Sequence, residues 1–169
     1  MEYAAPTTVD EARTLLADNP GSRVFAGATD VVPQMRSGRP EPSVLIDLKR
    51  IDRLMSVTHD NGHWTIGAAM PTSELTSNGE FSSVFPGISE GAGWIGSDQI
   101  QNRSSLGGNL CNGSPAADSV PAMIASEARA VIAGADGERT IPVADVVTGP
   151  GQLSLAEGEF VVEFEIDDP

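Results

Sequence analysis

The first third of the chain alternates amphipathic and wholly apolar segments. Between Val9 and about Asp18 the apolar residues recur at helical spacing, which places four of them on one face: Val9, Ala12, Leu15 and Leu16. Thr8 and Glu11 have the spacing of a capping box at the start of this helix, and Asn19-Pro20-Gly21 ends it. The pattern therefore predicts one short helix that packs on a single face.

Two short apolar runs follow this helix. SRVFAG predicts a short strand, and SVLIDL is a nearly continuous apolar run, as expected for a strand buried on both faces. ATDVVPQMRSG between them predicts a turn that enters a short helix ending at Gly38 and Pro40. Helix and strand alternate twice in under fifty residues, which predicts a small β-α-β lobe with parallel strands.

The pattern changes near residue 55. Two strand-like runs flank Asn61-Gly62, a strong signal for a type I′ hairpin, and ARAVIAGADGERTIPV predicts a second hairpin that turns at Asp136-Gly137. EFVVEFEI predicts a final strand with four apolar residues on one face: Phe160, Val162, Phe164 and Ile166. Helices are predicted near Thr72–Ser77, Pro86–Gly93 and Pro115–Ala128. We expect an α+β protein with lobes at residues 1–55 and 56–169.

The composition, 40% hydrophobic and 20% charged over 169 residues, is ordinary for a globular protein. No apolar run approaches the roughly 18–20 residues needed to cross a bilayer, and the N-terminal segment lacks the pattern of a secretory signal. The single cysteine, Cys111, excludes an internal disulfide framework and an all-cysteine iron–sulfur site. We expect a cytoplasmic protein with no membrane partner.

The net charge of −14 argues against binding a nucleic-acid backbone. Seven of the ten basic residues precede Leu54, whereas the segment from Glu157 to Asp168 carries six acidic residues. This asymmetry is consistent with a solvated acidic face or with attraction to a basic partner.

Several motifs match a catalytic or binding pattern only in part. Gly91 to Gly96 match the dinucleotide fingerprint G-x-G-x-x-G, but a helix start precedes them where that motif needs a strand, so we expect these glycines to end a helix. His59 and His63 flank the Asn-Gly turn without an evident third metal ligand and are expected to be exposed hairpin ends. Cys111 is expected to be a small buried thiol. No nucleophile–base pair stands out.

The stretch FAGATD, Phe25 to Asp30, has the composition of an anion site. The apolar strand ends at Gly27, Thr29 or Asp30 can cap the helix that follows, and Gly27 with Ala28 lets the backbone approach a ligand. A plain strand-to-helix turn is the alternative.

The stretch SSLGGNLCNGSPAAD offers a second set of donors. Gly107-Gly108 can form an anion-binding nest, and Ser105 and Asn109 add neutral donors. Ser114 before Pro115 suits a first helical turn, in which Asp118 could accept from a ribose hydroxyl. The two stretches contain no lysine, so backbone amides and hydroxyls would have to hold a pyrophosphate. An ordinary loop is the alternative.

Five stretches, in order and across nearly the whole chain, resemble the FAD-binding domain, or medium subunit, of the molybdenum hydroxylases of the carbon monoxide dehydrogenase and xanthine dehydrogenase type: VFAGATDVVPQM, VLIDLKRI, TIGAAMPTSEL, IGSDQIQNRSSLGGNLCNGSPAADSVPAM and IPVADVVTG. The resemblance implies the two-lobed fold of the vanillyl-alcohol oxidase and molybdopterin dehydrogenase type, with FAD between the lobes.

The resemblance also implies which positions contact FAD. Carried over by position they are Val24, Phe25, Ala26, Gly27, Ala28, Thr29, Asp30, Val31, Ile95, Ser105, Gly107, Gly108, Asn109, Ser114, Asp118 and Val161. No catalytic side chain and no metal ligand is implied. The implied role is an oxidoreductase component that passes electrons from 2Fe–2S clusters of a small subunit to NAD⁺, oxygen or another acceptor. Substrate oxidation would occur on a large molybdopterin subunit.

Two departures from the family bear on this function. Position 28 is alanine where many relatives have glycine, a modest change at negative φ and a damaging one otherwise. Family members also usually continue into a C-terminal α+β domain, and this chain stops at Pro169, as expected of a fragment, of a protein whose remainder is a separate polypeptide, or of a trimmed relative with a changed function. A flavin-free interaction protein that kept the fold is therefore an alternative. A self-sufficient flavin oxidase is disfavoured because no base beyond His59 and His63 is available.

Overall fold

The first sheet of the protein is parallel throughout. The computed structural model describes residues 1–169. The strands of this sheet are β1 (Glu2–Ala4), β2 (Arg23–Phe25) and β3 (Val44–Asp47), in the order β1-β3-β2. Every residue of the central strand β3 is buried, which explains its continuous apolar run. The parallel β-α-β prediction is confirmed. The edge strand β1 was not predicted, because its three residues are largely exposed.

Two helices belong to this sheet, α1 (Val9–Asp18) and α2 (Val31–Arg36). The Thr8 hydroxyl accepts a hydrogen bond from the Glu11 backbone N–H at 3.1 Å, as the capping box predicts. The Glu11 carboxylate, however, accepts from the Thr7 N–H at 2.7 Å. The predicted face of α1 packs on the parallel sheet, with Ala12 buried at its centre.

The second sheet is antiparallel and has five strands in the order β4-β5-β10-β6-β7. They are β4 (Val57–Asp60), β5 (His63–Gly67), β6 (Arg129–Gly134), β7 (Gly137–Pro142) and β10 (Phe160–Asp167); β8 (Val147–Gly149) and β9 (Gln152–Leu153) form a separate small ribbon. Asn61 and Gly62 have φ of 50° and 78°, which confirms the type I′ turn.

The second hairpin turns one residue earlier than predicted. Gly134 pairs with Gly137, so the two turn residues are Ala135 and Asp136 instead of Asp136 and Gly137. Gly137, with φ of 120°, begins β7 and takes the positive φ that follows the turn.

The prediction of one apolar face on β10 is wrong. Opposite β6 the register runs from Val161↔Ile132 to Glu163↔Val131, which leaves Val162 as an extra residue in a β-bulge. A bulge interrupts the strict alternation of side chains. Phe160 and Val162 therefore pack beside the parallel sheet, whereas Phe164 and Ile166 pack on the opposite side of the five-stranded sheet.

Six short helices cover the second sheet: α3 (Thr72–Ser77), α4 (Gly79–Val84), α5 (Pro86–Gly93), α6 (Asp98–Gln101), α7 (Leu106–Cys111) and α8 (Val120–Ala125). Three 3₁₀ helices occupy Leu48–Arg50, Asp52–Met55 and Val143–Asp145. α3 and α5 have the predicted bounds, and α5 ends within the glycine motif, as expected. None of the helices is long and apolar enough to cross a membrane.

The helix predicted from Pro115 to Ala128 is much shorter. Only α8 is helical, and residues 114–119 are irregular, with a turn at 115–116 and a bend at 118–119. The Ala117 N–H donates to the Ser114 carbonyl, and the Ser119 N–H donates to the Asn109 side chain at 3.2 Å. These bonds hold the segment against α7 and prevent helical pairing there.

The strand β10 joins the two apolar clusters of the molecule. One cluster contains the buried face of α1, the strand β3 and, from β10, Phe160 and Val162. The other contains Trp64 of β5, the helices α3, α5 and α7, and from β10 Val161, Phe164 and Ile166. One strand thus contributes to both hydrophobic cores.

Candidate cofactor-binding site

A cavity of about 480 Å³ lies where the parallel sheet meets α7 and β10. One wall consists of β2 and the loop that leads into α2, and the facing wall consists of α7 and Ile95. Apolar side chains from Leu48, the segment after β9 and the start of β10 close it from the side. This volume is within the ordinary range for a small-molecule site.

The loop after β2 presents a row of free donors to the cavity. None of the backbone N–H groups of residues 26–31 donates a hydrogen bond within the protein, and the Asp30 side chain does not cap α2. The Thr29 hydroxyl also has no protein partner, and both loop and hydroxyl border the cavity. Consecutive unpaired N–H groups are suited to an anion.

Gly27 allows this loop to contact the second wall. A side chain at position 27 would overlap the Arg103 carbonyl, so only glycine fits. The Arg103 Nε donates to the Gly27 carbonyl at 3.1 Å across the same contact. The two glycine-containing stretches are therefore held together directly.

Ala28 has φ of 61°, in the left-handed region that favours glycine. The Val32 N–H donates to the Ala28 carbonyl, which fixes this conformation at the start of α2. The condition under which alanine at position 28 is costly is therefore met.

The second wall differs from the nest that the sequence predicts. Gly107 and Gly108 lie in α7 without positive φ. Their N–H groups are occupied, because Gly107 donates to the Ala68 carbonyl and Gly108 donates to Ser105 Oγ, both at 3.1 Å. The glycines serve close packing instead: a Cβ at position 107 would lie 2.5 Å from the Ala68 oxygen.

Asn109 is oriented by the segment that follows α7. Its Oδ1 accepts from the Ser119 N–H at 3.2 Å and from the Ser119 hydroxyl at 2.8 Å. Its Nδ2 donates to no protein group, so the amide can offer two hydrogens on the cavity side.

The structure brings together all but two of the sequence-predicted contact residues. Those that line the cavity are Val24, Phe25, Ala26, Gly27, Ala28, Thr29, Asp30, Val31, Ile95, Ser105, Gly107, Gly108, Asn109 and Val161. Ser114 and Asp118 do not line it. Ser114 closes its own turn by accepting from the Ala116 N–H, and Asp118 is exposed and precedes α8.

Several cavity residues were not predicted from the sequence. They include Arg23, Leu48, Cys111, Leu153, Leu155 and Phe160. Arg23 lies within the predicted strand SRVFAG, and its charge in that apolar segment was the one available signal. Burial raises the pKa of Cys111 to about 12, so its thiol stays protonated near neutral pH.

The two histidines lie away from the cavity. His59 stacks on Trp64 with ring centroids 4.2 Å apart, and its Nδ1 lies 2.8 Å from Glu80 Oε1. Glu80, followed by Asp168, holds the pKa of His59 above its usual value. Both histidines thus interact with acidic side chains at the end of the β4–β5 hairpin.

The chain matches the family model described as the FAD binding domain in molybdopterin dehydrogenase over residues 1–168. The chain belongs to this family. FAD is the cofactor of the family, and the α+β expectation is confirmed by solved structures with the same fold.

The FAD-binding domain is 32% identical over 163 residues to the xanthine dehydrogenase FAD-binding subunit of Escherichia coli O157:H7, covering 96% of this chain and 56% of the relative. It is 32% identical over 167 residues to the carbon monoxide dehydrogenase medium chain of Hydrogenophaga pseudoflava, covering 98% and 58%.

Two solved structures superpose closely on the FAD-binding domain. Carbon monoxide dehydrogenase from Hydrogenophaga pseudoflava, at 31% identity, and quinoline 2-oxidoreductase from Pseudomonas putida 86, at 26%, each give a TM-score of 0.95. Each comparison covers 100% of this chain and 59% of the other. The chain thus spans a little over half the length of the relatives it matches.

Proposed function

We propose that this chain binds FAD in the cavity between its two sheets and transfers electrons as a component of a cytoplasmic, multi-subunit molybdenum hydroxylase. The observation that carries the proposal is the run of unpaired N–H groups at residues 26–31, which faces the cavity opposite α7. Family membership supplies the identity of the cofactor.

The cavity fits a dinucleotide in its chemistry. Its polar donors lie on two facing walls, in the loop after β2 and in Asn109 of α7, and a diphosphate would be held between them. Its apolar lining, from Leu48, Leu155 and Phe160, suits the flat faces of ring systems. The cavity thus offers polar donors for the charged part and apolar side chains for the aromatic parts of one ligand, and both lobes contribute to each.

In this proposal the side chains of the protein bind and orient FAD, and none of them acts as an acid or base. When bound, FAD supplies the one- and two-electron chemistry that the side chains lack. Cys111 is protonated near neutral pH, and His59 and His63 lie outside the cavity. The loop of residues 26–31 fixes the diphosphate, while Ile95 and Val161 exclude water from the apolar part.

The relatives suggest the partners and the direction of electron flow. We propose that a small subunit with 2Fe–2S clusters delivers electrons and that a large molybdopterin subunit oxidises the substrate. The acceptor of the electrons is NAD⁺, oxygen or another oxidant. The names of the relatives, a xanthine dehydrogenase subunit and a carbon monoxide dehydrogenase chain, support this assembly.

Flavin binding is tested by mixing the purified chain with FAD, removing free FAD by gel filtration and recording the visible spectrum. We expect a retained flavin spectrum. Thr29→Val removes a cavity hydroxyl and should weaken FAD binding about 2- to 12-fold, the value of a neutral hydrogen bond. Thr58→Val, on the exposed strand β4, is the matched control and should bind as the wild type does.

A colourless chain, both alone and together with its partner subunits, would refute flavin binding. In that case recovery of a partner in a pull-down would favour the flavin-free interaction protein. The predicted contacts of Ser114 and Asp118 are tested in the same assay with Ser114→Ala and Asp118→Asn.

A further inference from the structure

Arg23 is the single cationic residue among those that line the cavity. The other charged residues there are Asp30 and Glu159. The Glu159 carboxylate is already paired with Arg139, with Oε2 at 2.7 Å from Nη2. Arg23 has no carboxylate within salt-bridge distance, and its Nη2 donates only to Gln34 Oε1 at 3.2 Å. The cavity therefore contains one guanidinium group without a paired counter-ion.

A neutral carboxamide holds this guanidinium in place. Gln34 Oε1 accepts from both Arg23 and Arg39, each at 3.2 Å. Gln34 Nε2 donates to the Oδ1 of Asn112, the C-cap of α7, at 2.9 Å. Gln34 thus connects α2 with α7 and fixes Arg23 at the cavity wall, but it adds no negative charge.

This arrangement is electrostatically incomplete without an anion. Burial, followed by repulsion from Arg39, lowers the pKa of Arg23, and attraction to Asp30 offsets these effects only in part. A half-buried cation gains most from a partner that also lies in a site of low polarity. The free N–H groups of residues 26–31 border the same cavity and favour the same sign of ligand charge.

We infer that Arg23 is the counter-ion of the diphosphate in the bound dinucleotide and that Gln34 positions it for this contact. The inference rests on the proposed function, and it identifies Arg23 as the charged side chain that binds the diphosphate of the cofactor. It replaces the sequence-based expectation of a site held by amides and hydroxyls alone. A planar guanidinium donates two parallel hydrogen bonds to a phosphate, which makes the contact directional.

The test compares FAD dissociation constants of the full 169-residue chain and three variants by fluorescence titration. Arg23→Gln should weaken FAD binding about 10- to 100-fold, the value of a charge-assisted hydrogen bond, and should reduce the dependence of binding on salt. Arg23→Lys keeps the charge and should restore part of the affinity. Arg39→Gln is the matched control, because Arg39 shares the Gln34 acceptor without lining the cavity, and should change binding less than 2-fold.

The outcomes separate this inference from the proposed function. Binding of FAD by Arg23→Gln within 2-fold of the wild type would overturn the role of Arg23 while leaving flavin binding intact. An equal loss in Arg39→Gln and Arg23→Gln would also overturn it, since the effect would then come from the Gln34 network. Absence of FAD binding by the wild type would refute both. Thermal melting of each apo variant confirms that the protein is folded.

Discussion

At the scale of single residues, Ala28 stands at the point where the first cavity loop turns into α2. Its φ of 61° is a conformation that costs an L-residue about 1–2 kcal/mol. The surrounding contacts, above all the Gly27–Arg103 contact and the Val32 hydrogen bond, hold the residue there. The backbone at Ala28 is therefore strained at the edge of the cofactor cavity, and the contacts that hold it constrain the loop of residues 26–31.

We expect Ala28→Gly to raise the free energy of unfolding by about 0.5–1 kcal/mol. The relief of strain exceeds the roughly 0.4–1 kcal/mol that glycine costs through the unfolded state. Urea denaturation of the apo chain measures the effect. Ala26→Gly is the control, since Ala26 has no positive φ and should lose stability. A lower stability of Ala28→Gly would contradict the strained conformation.

Residue chemistry also explains what the sequence could predict of the site. FAGATD and SSLGGNL were recognisable because each set of donors is local, and their residues do line one cavity. Arg23 was missed because its position at the cavity depends on a hydrogen bond to Gln34, which in turn bonds to Asn112 at the end of α7. These residues become neighbours only when the chain folds. The occupied N–H groups of Gly107 and Gly108 were unpredictable for the same reason, since the Ala68 carbonyl comes from elsewhere.

At the scale of elements, α7 shows that two adjacent glycines can have different structural roles. A Cβ at position 107 would lie 2.5 Å from the Ala68 oxygen and 2.8 Å from the Ala68 Cβ. At position 108 the nearest atom is Ser105 Oγ, at 3.3 Å. Gly107 thus permits α7 to pack on the segment after β5, whereas Gly108 is exposed.

This difference predicts opposite tolerance to alanine. Gly107→Ala should destabilise the chain by about 1–3 kcal/mol, because the Ala68 backbone and α7 would have to move apart. Gly108→Ala should stay within about 1 kcal/mol of the wild type, since the helix propensity of alanine offsets the tight contact with Ser105. Thermal melting of both variants tests the pair. Equal destabilisation would show that the packing argument for Gly107 is wrong.

The elements differ in how well local sequence specifies them. Turn chemistry identified the Asn61-Gly62 hairpin, and the capping residue Thr8 identified the start of α1. The bulge at Val162 was not predicted, because the apolar residues at positions 160, 162, 164 and 166 keep a period of two and the interruption arises from pairing with β6. The truncation of α8 likewise depends on the Asn109 contact with Ser119.

At the scale of the whole molecule, the two hydrophobic cores share β10. Phe160 and Val162 are buried in one core, and Phe164 and Ile166 in the other. Loss of either core removes support from the central strand of the five-stranded sheet. The lobes are therefore thermodynamically coupled, although their sheets are separate.

We expect the apo chain to unfold in one cooperative transition. Native-state hydrogen exchange should give the Ile46 amide in β3 and the Ile66 amide in β5 the same free energy of opening. Phe160→Ala, which empties a site that is 2% exposed, should lower both values together by about 3–5 kcal/mol. A selective loss of protection in β3 would show that the lobes unfold separately.

The position of β10 in the sheet also has a consequence for the order of folding. The hairpins β4–β5 and β6–β7 are local in sequence and can form early, but neither pairs with the other. Residues 160–167 must insert between them, and until then β5 and β6 each carry an unpaired edge. We expect insertion of this strand, a long-range step, to limit the refolding rate, and we expect the two hairpins with their unpaired edges to promote aggregation in concentrated refolding mixtures.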